Sequence, residues 1–274
     1  MVELTRKSEE EILSDLTGVI FLNPEHDRNE DVAHKYLPAD EYLSGNVREK
    51  LRTAKAFAET DKGYTVNVQS LEAVQPVDLT ASEISVRLGA AWLPTEVVRD
   101  STFELLRTPY YQRRNIKVHY STYTGEWNID GKSLDRGNVR SENTFGTERI
   151  NAYKIIEETL NLRDVRIFDY EYDDSGKKVA ILNTKQTAIA QEKQEQIKQK
   201  FADWIWADPN RRERLTRLYN EKFNSIRPRE YDGSHLNFVG INPEITLRPH
   251  QVNAIAHILY GGNTLLAHTV GAGK

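Results

Sequence analysis

The last ten residues constrain this chain more than any other stretch. Leu265-Leu266-Ala267-His268-Thr269-Val270-Gly271-Ala272-Gly273-Lys274 is a short apolar run feeding a Gly-x-Gly-Lys turn. In such a turn the backbone N–H groups of Thr269, Val270, Gly271, Ala272 and Gly273 can cradle a β-phosphate, while the lysine reaches the β- and γ-phosphates. The pattern predicts a strand that ends in a phosphate-binding loop. The Ser or Thr that holds Mg²⁺ in such loops would be the next residue, and the sequence stops at Lys274. The expectation is a piece of a larger protein, with most of any hydrolytic machinery outside these residues.

Composition sets broad limits on the remainder. A chain of 274 residues can bury a substantial core and is expected to hold two or more domains. Charged residues at 28% and apolar ones at 38% are ordinary for a globular protein. No run approaches the roughly 18–20 apolar residues of a membrane helix. The start, Met-Val-Glu-Leu-Thr-Arg-Lys-Ser-Glu-Glu-Glu, is too polar and acidic for a signal peptide, so a cytoplasmic location without membrane contact is expected. The chain has no cysteine, which excludes disulfides, thiolate metal sites and cysteine nucleophiles together.

The net charge of −4 argues against a domain that grips nucleic acid with its whole surface. A local stripe remains open: Arg211, Arg212, Arg214, Arg217, Lys222, Arg227 and Arg229 crowd one region. Asp208, Glu213, Glu221 and Glu230 lie among them, so a solvated helix face is the rival reading.

Patterning divides the chain into five segments. Residues 1–62 are expected to be mostly helical. Ser8 to Glu11 forms a capping box, Gly18 to Leu22 reads as a strand, and Ala39 to Glu59 as two helices broken at Ser44-Gly45-Asn46. Residues 63–148 read as a small α+β domain. Its expected parts are a strand at Tyr64–Val68, a helix opened by Thr80-Ala81-Ser82-Glu83 toward Leu88-Gly89, a helix from Pro94 to Leu106, and a hairpin around Thr124-Gly125. Residues 149–228 contribute an amphipathic helix from Asn151 to Asn161 and a hairpin across Asp173-Asp174-Ser175-Gly176. Helices at Thr187–Trp206 and Asn210–Ile226 follow. Residues 229–246 form a connector, and 247–274 begin a further domain.

That last domain opens Leu247-Arg248-Pro249-His250-Gln251 and continues as a helix through Tyr260 to Gly261-Gly262. Proline suits a first helical turn and glycine a helix end. A strand is expected from Asn263 to Ala267. The Gln251 amide carries a donor and an acceptor together, and so can hydrogen-bond both edges of adenine. The helix returns the chain to the loop, bringing the base and phosphate ends of one nucleotide close. Gln251, with Arg248 nearby, and the loop residues are therefore the candidate ATP site.

This pairing resembles superfamily-two helicases, most closely the Snf-type DNA translocases. They place an Arg-x-x-Gln motif one helix ahead of a Gly-x-Gly-Lys-Thr loop and commonly lack the first Walker glycine, whose place His268 takes here. Further stretches narrow the likeness: Leu43-Ser44-Gly45-Asn46-Val47-Arg48, Leu88-Gly89-Ala90-Ala91-Trp92-Leu93-Pro94 and Phe223-Asn224-Ser225-Ile226-Arg227-Pro228-Arg229-Glu230-Tyr231. With the terminal loop, they are similar to the large helicase–DNA methylase fusions of bacterial mobile elements and phages. The resemblance implies an α+β accessory region followed by the first helix, strand and loop of a RecA-like α/β core. It implies ATP and Mg²⁺ as cofactors, Lys274 as the catalytic lysine of motif I, DNA as partner, and an N6-adenine methyltransferase in the same or a neighbouring polypeptide. The acidic box for Mg²⁺ and the arginine fingers would follow Lys274. No Asn/Asp-Pro-Pro-Tyr/Phe motif occurs, so these residues are not themselves expected to methylate.

Other chemistries have thinner support. His26, His34, His119, His235, His250, His257 and His268 are scattered without ligand spacing, so no metal site is expected. Trp92, Trp127, Trp204 and Trp206 read as packing residues rather than base platforms. Two rivals remain: a non-enzymatic DNA- or protein-docking spacer, and a P-loop enzyme unrelated to helicases.

Overall fold

Helices need their first N–H groups satisfied, and at several helices here a short polar side chain does that. The computed structural model describes residues 5–26, 35–172, 176–240, 242, 244–261 and 263–273. In it Ser8, Asn46, Asn151 and Asn183 each accept a hydrogen bond from a first-turn N–H. Along the chain run α1 (Glu9–Asp15), β1 (Ile20–Leu22), β2 (Tyr36–Pro38), α2 (Ala39–Tyr42), β3 (Gly45–Asn46), α3 (Val47–Ala58) and α4 (Thr65–Ala73). Then come α5 (Thr95–Leu106), α6 (Tyr110–Arg113), β4 (Lys117–Ser121), β5 (Glu126–Asp130), α7 (Ala152–Leu160), β6 (Phe168–Tyr172) and β7 (Lys178–Leu182). The last elements are α8 (Thr184–Ile205), α9 (Pro209–Phe223), β8 (Ile226–Arg227) and α10 (Pro249–Gly261). Strands pair as antiparallel couples, β1 with β2, β3 with β8, β4 with β5 and β6 with β7. The fold is α+β, as the patterning predicts. None of the described helices is long and apolar enough to cross a membrane.

The chain forms two compact units, Met1–Asp78 with Glu221–Lys274, and Leu79–Asn220. In the first, Phe21, Tyr42, Val47, Ala54 and Leu71 make the core, with the Phe21 and Tyr42 rings stacked at 5.0 Å. Lys50 closes the end of α2 by donating to the carbonyls of Glu41, Tyr42 and Ser44 at 2.8–3.1 Å. Burial holds its ammonium below the usual lysine range. The late part of the chain joins this unit where Val47 N–H donates to Ser225 O and Arg48 Nε donates to Asn224 O at 2.8 Å.

The second unit is built on α7. Ala152, Tyr153, Ile155, Ile156 and Leu160 are buried, along with Val97, Val98 and Leu106 of α5, Trp127 and Ile129 of β5, and Ile197, Phe201 and Ile205 of α8. Inward Val118 and inward Trp127 come from the alternation of the β4–β5 hairpin. The β6–β7 hairpin, in contrast, is exposed along nearly its whole length. Its sequence-expected turn at Asp173-Asp174-Ser175 lies outside the described residues.

Three expected elements differ. Tyr64–Val68 is not a strand: Thr65 to Ala73 is helical, because Asn67 and Leu71 are the buried pair at helical spacing, and Asn67 donates to Leu22 O at 2.8 Å. Thr80 donates its N–H and its hydroxyl to the Glu83 carboxylate, but only one turn follows. Gly89 sits at φ +95°, where a Cβ would come within 2.4 Å of Leu160 O, so the chain passes irregularly over the end of α7. Asn263–Ala267 is not a strand either. The segment pairs with no strand among the described residues, and an extended segment needs a neighbour to satisfy its backbone groups.

Candidate nucleotide-binding site

The Arg248 carbonyl accepts from the N–H groups of Gln251 and Val252, which sets the first turn of α10. The Gln251 side chain folds back, its Oε1 accepting from Arg248 N–H at 2.8 Å. Its Nε2 donates to the Gly273 carbonyl. The glutamine is thus tied to the loop that the sequence pairs with it. His250 adds a second tie, with Nε2 2.8 Å from Ala272 O. A carbonyl only accepts, so Nε2 carries the proton in this contact.

The loop closes on itself through Ala272 N–H to Thr269 O at 3.2 Å. Gly271 and Gly273 lie at φ +86° and +73°, the left-handed region in which a side chain is strained. At Gly273 a Cβ would also meet Gln251 Nε2 at 3.1 Å. Thr269, Val270 and Gly271 are exposed, as is Arg248. Lys274 and Gly262 lie outside the described residues. The start of α10 meets the same loop through the His250 and Gln251 side chains, and the partial positive charge of that helix end suits an anion there.

Side chains behind α10 fix its position. The Tyr231 and His257 rings stack at 4.3 Å, Gly233 N–H donates to Asn253 Oδ1 at 3.0 Å, and Ala256 is buried. The contact of His250 with the loop is not evident from the sequence, where only its place beside Gln251 hints at it. Among the described residues no three His, Asp or Glu side chains gather as a metal site.

The sequence-adjacent basic stripe disperses. Arg211 donates to the carbonyls of Trp204 and Ile205 and lies 3.5 Å from the Trp204 ring, so it caps α8. Arg217 pairs with Glu213 at 2.8 Å, Arg229 with Asp40 at 2.7 Å, and Arg227 donates to Leu43 O. Arg211–Arg217 and Lys222–Arg229 also belong to different units. The solvated and structural readings account for this stripe.

Residues 87–225 match the family model described as Domain of unknown function (DUF8437), a span that nearly coincides with the second unit. Residues 1–35 match a second family model, described as Probable helicase, winged helix domain, over the stretch that includes α1 and β1. No curated protein and no solved structure matches the chain. Because the first match spans just over half of its 274 residues, the chain belongs to the family described as Domain of unknown function (DUF8437).

Proposed function

We propose that the chain is the ATP-binding part of an ATP-dependent DNA helicase or translocase linked to DNA adenine methylation. The contact that supports this reading is the Gln251 amide on the Gly273 carbonyl, which brings Gln251 and the Gly271–Gly273 turn together. In this reading Gln251 exchanges its bonds to Arg248 N–H and Gly273 C=O for the equivalent donor and acceptor on adenine. The N–H groups of Thr269 to Gly273 then receive the phosphates, Arg248 adds charge, and Lys274 reaches the β- and γ-oxygens. Mg²⁺ would arrive with the nucleotide and neutralise phosphate charge. Loop closure and stabilisation of transition-state charge need groups that these residues do not supply, so the 274-residue chain binds ATP without hydrolysing it. The likeness of residues 1–35 to a winged-helix domain of a probable helicase supports DNA as the partner. The methylation link rests on the sequence resemblance alone. It would be tested by methyl transfer to adenine from S-adenosylmethionine, in the full-length gene product or a partner that copurifies with it.

A docking-spacer reading of the second unit is favoured by its separate core and by the absence of any nucleotide-motif residue within it. The deciding assay is ATP turnover by the full-length gene product with and without DNA, alongside Lys274→Ala. Turnover that requires both DNA and Lys274 is expected. No turnover with any nucleic acid, or turnover indifferent to Lys274→Ala, rejects the motor and leaves docking.

A further inference from the structure

Residues 105–125 of the second unit read Leu-Leu-Arg-Thr-Pro-Tyr-Tyr-Gln-Arg-Arg-Asn-Ile-Lys-Val-His-Tyr-Ser-Thr-Tyr-Thr-Gly, with no carboxylate among them. In a chain holding 41 acidic and 37 basic residues, such a run is a local reversal of sign. The fold puts it on the surface. Arg107 ends α5 at φ 50° and turns the chain outward, and Pro109 starts the short helix α6. That helix holds Tyr110 and Tyr111 in solvent, 74% and 71% exposed; Arg107, Arg113, Arg114 and Lys117 of the same segment are exposed too, and the Arg114 guanidinium lies 6.0 Å from the Tyr110 ring.

The segment is held in place from beneath. Ile116 is buried, Arg113 Nε donates to Thr108 O at 2.9 Å, and the Arg113 guanidinium lies over the Phe103 ring. None of the four cations forms an ion pair with a described carboxylate. The carboxylates on neighbouring elements have other partners. Glu104 accepts from Trp204 Nε1, Asp135 from Tyr153 and Asn138, and Glu142 from Gly137 N–H. Asp130, across the hairpin from Lys117, lies 3.6 Å from His119 Nδ1.

We propose that Arg107–Lys117 is a contact site for single-stranded nucleic acid, with Arg107, Arg114 and Lys117 on phosphates and Tyr110 and Tyr111 stacked on bases. Positive charge alone would suit any polyanion. Two neighbouring solvent-facing rings add a use for bases that are out of a duplex stack, since every base offers a π-face. The site includes none of the residues assigned to nucleotide, and its test needs no nucleotide, so its outcome is independent of the ATP reading.

The experiment is fluorescence anisotropy of a labelled oligothymidine with the 274-residue chain, titrated from about 50 to about 200 mM salt. Arg107→Gln/Arg114→Gln/Lys117→Gln should flatten the slope of log affinity against log salt by about 2, at roughly 0.7 for each phosphate no longer neutralised. Tyr110→Ala/Tyr111→Ala should weaken binding roughly tenfold or more with the slope unchanged, as loss of base stacking requires. Circular dichroism melts that match the parent would show that both variants fold. Three results would overturn the proposal: no binding at low salt, variants that bind like the parent, or duplex DNA or polyglutamate displacing the oligonucleotide as well as unlabelled single strand does.

Discussion

Glu157 is 6% exposed, yet it is one of the most engaged side chains in the second unit. Its carboxylate accepts from Lys132 Nζ, Lys154 Nζ and Ile129 N–H, which joins α7 to the inner strand of the β4–β5 hairpin. Burial alone would push its carboxyl up, but the bonds from Lys132, Lys154 and Ile129 outweigh that and hold it below the ordinary glutamate range. A carboxyl held low in the folded state adds stability above its unfolded value, about 4.3, and loses it as pH falls through the folded one. Glu157→Ala should cost about 1–3 kcal/mol at neutral pH, since it leaves the buried Ile129 N–H and Lys132 without their acceptor, while Lys154 keeps Glu158. Urea denaturation should show the gap to the parent narrowing toward pH 3, and a pH-independent gap would contradict the ion-pair account. The sequence marks Glu157 only as a polar position on an amphipathic helix. Lys154 is a neighbour on the same helix, but Lys132 and Ile129 lie 25 and 28 residues earlier, beyond any local pattern.

Elements in the second unit are joined by amides that act like stretches of backbone. Asn161, at the end of α7, accepts from Trp127 N–H at 2.8 Å and donates to Trp127 O at 2.9 Å, as a neighbouring strand would. Asn220 does the same for Leu79, and Gln194 of α8 bonds Val165 N–H and Arg163 O. Asn161→Ala should leave both Trp127 groups unpaired and cost about 1–3 kcal/mol, read by chemical denaturation. A change of a few tenths would mean that water replaces the amide at no loss. Periodicity reveals the elements themselves: α5, α7 and the β4–β5 hairpin lie where their apolar spacing places them. It fails where burial is set from outside. Val66 and Val68 alternate like a strand, but the long-range bond from Asn67 to Leu22 selects a helix. The Thr80–Glu83 start gives one turn and no more, and by Gly89 the chain passes close against the end of α7.

Two cores divide the molecule, one around Phe21, Tyr42 and Leu71, the other around α7 and α8. Residues 87–225, which carry the family match, largely coincide with the second, and the residues proposed to bind nucleotide belong to the first. The order of Arg248, Gln251, Gly271 and Gly273 was legible in the sequence because each residue type has a local reason: a helix start, an amide, two left-handed turns. That Gln251 and His250 grip the loop carbonyls was not, since such bonds depend on where α10 ends and the chain returns. The exposure of Tyr110 and Tyr111 was equally hidden, although the carboxylate-free run around them stands in plain sequence. The central claim is that this first unit binds ATP through that motif. Isothermal titration of Mg–ATP into the 274-residue chain, beside Lys274→Ala and Gln251→Ala, tests it most directly. Saturable binding abolished in Lys274→Ala and weakened in Gln251→Ala, by about tenfold or more for the missing adenine hydrogen bonds, is the predicted result. Absence of binding at millimolar ATP, or equal binding by all three proteins, would contradict it.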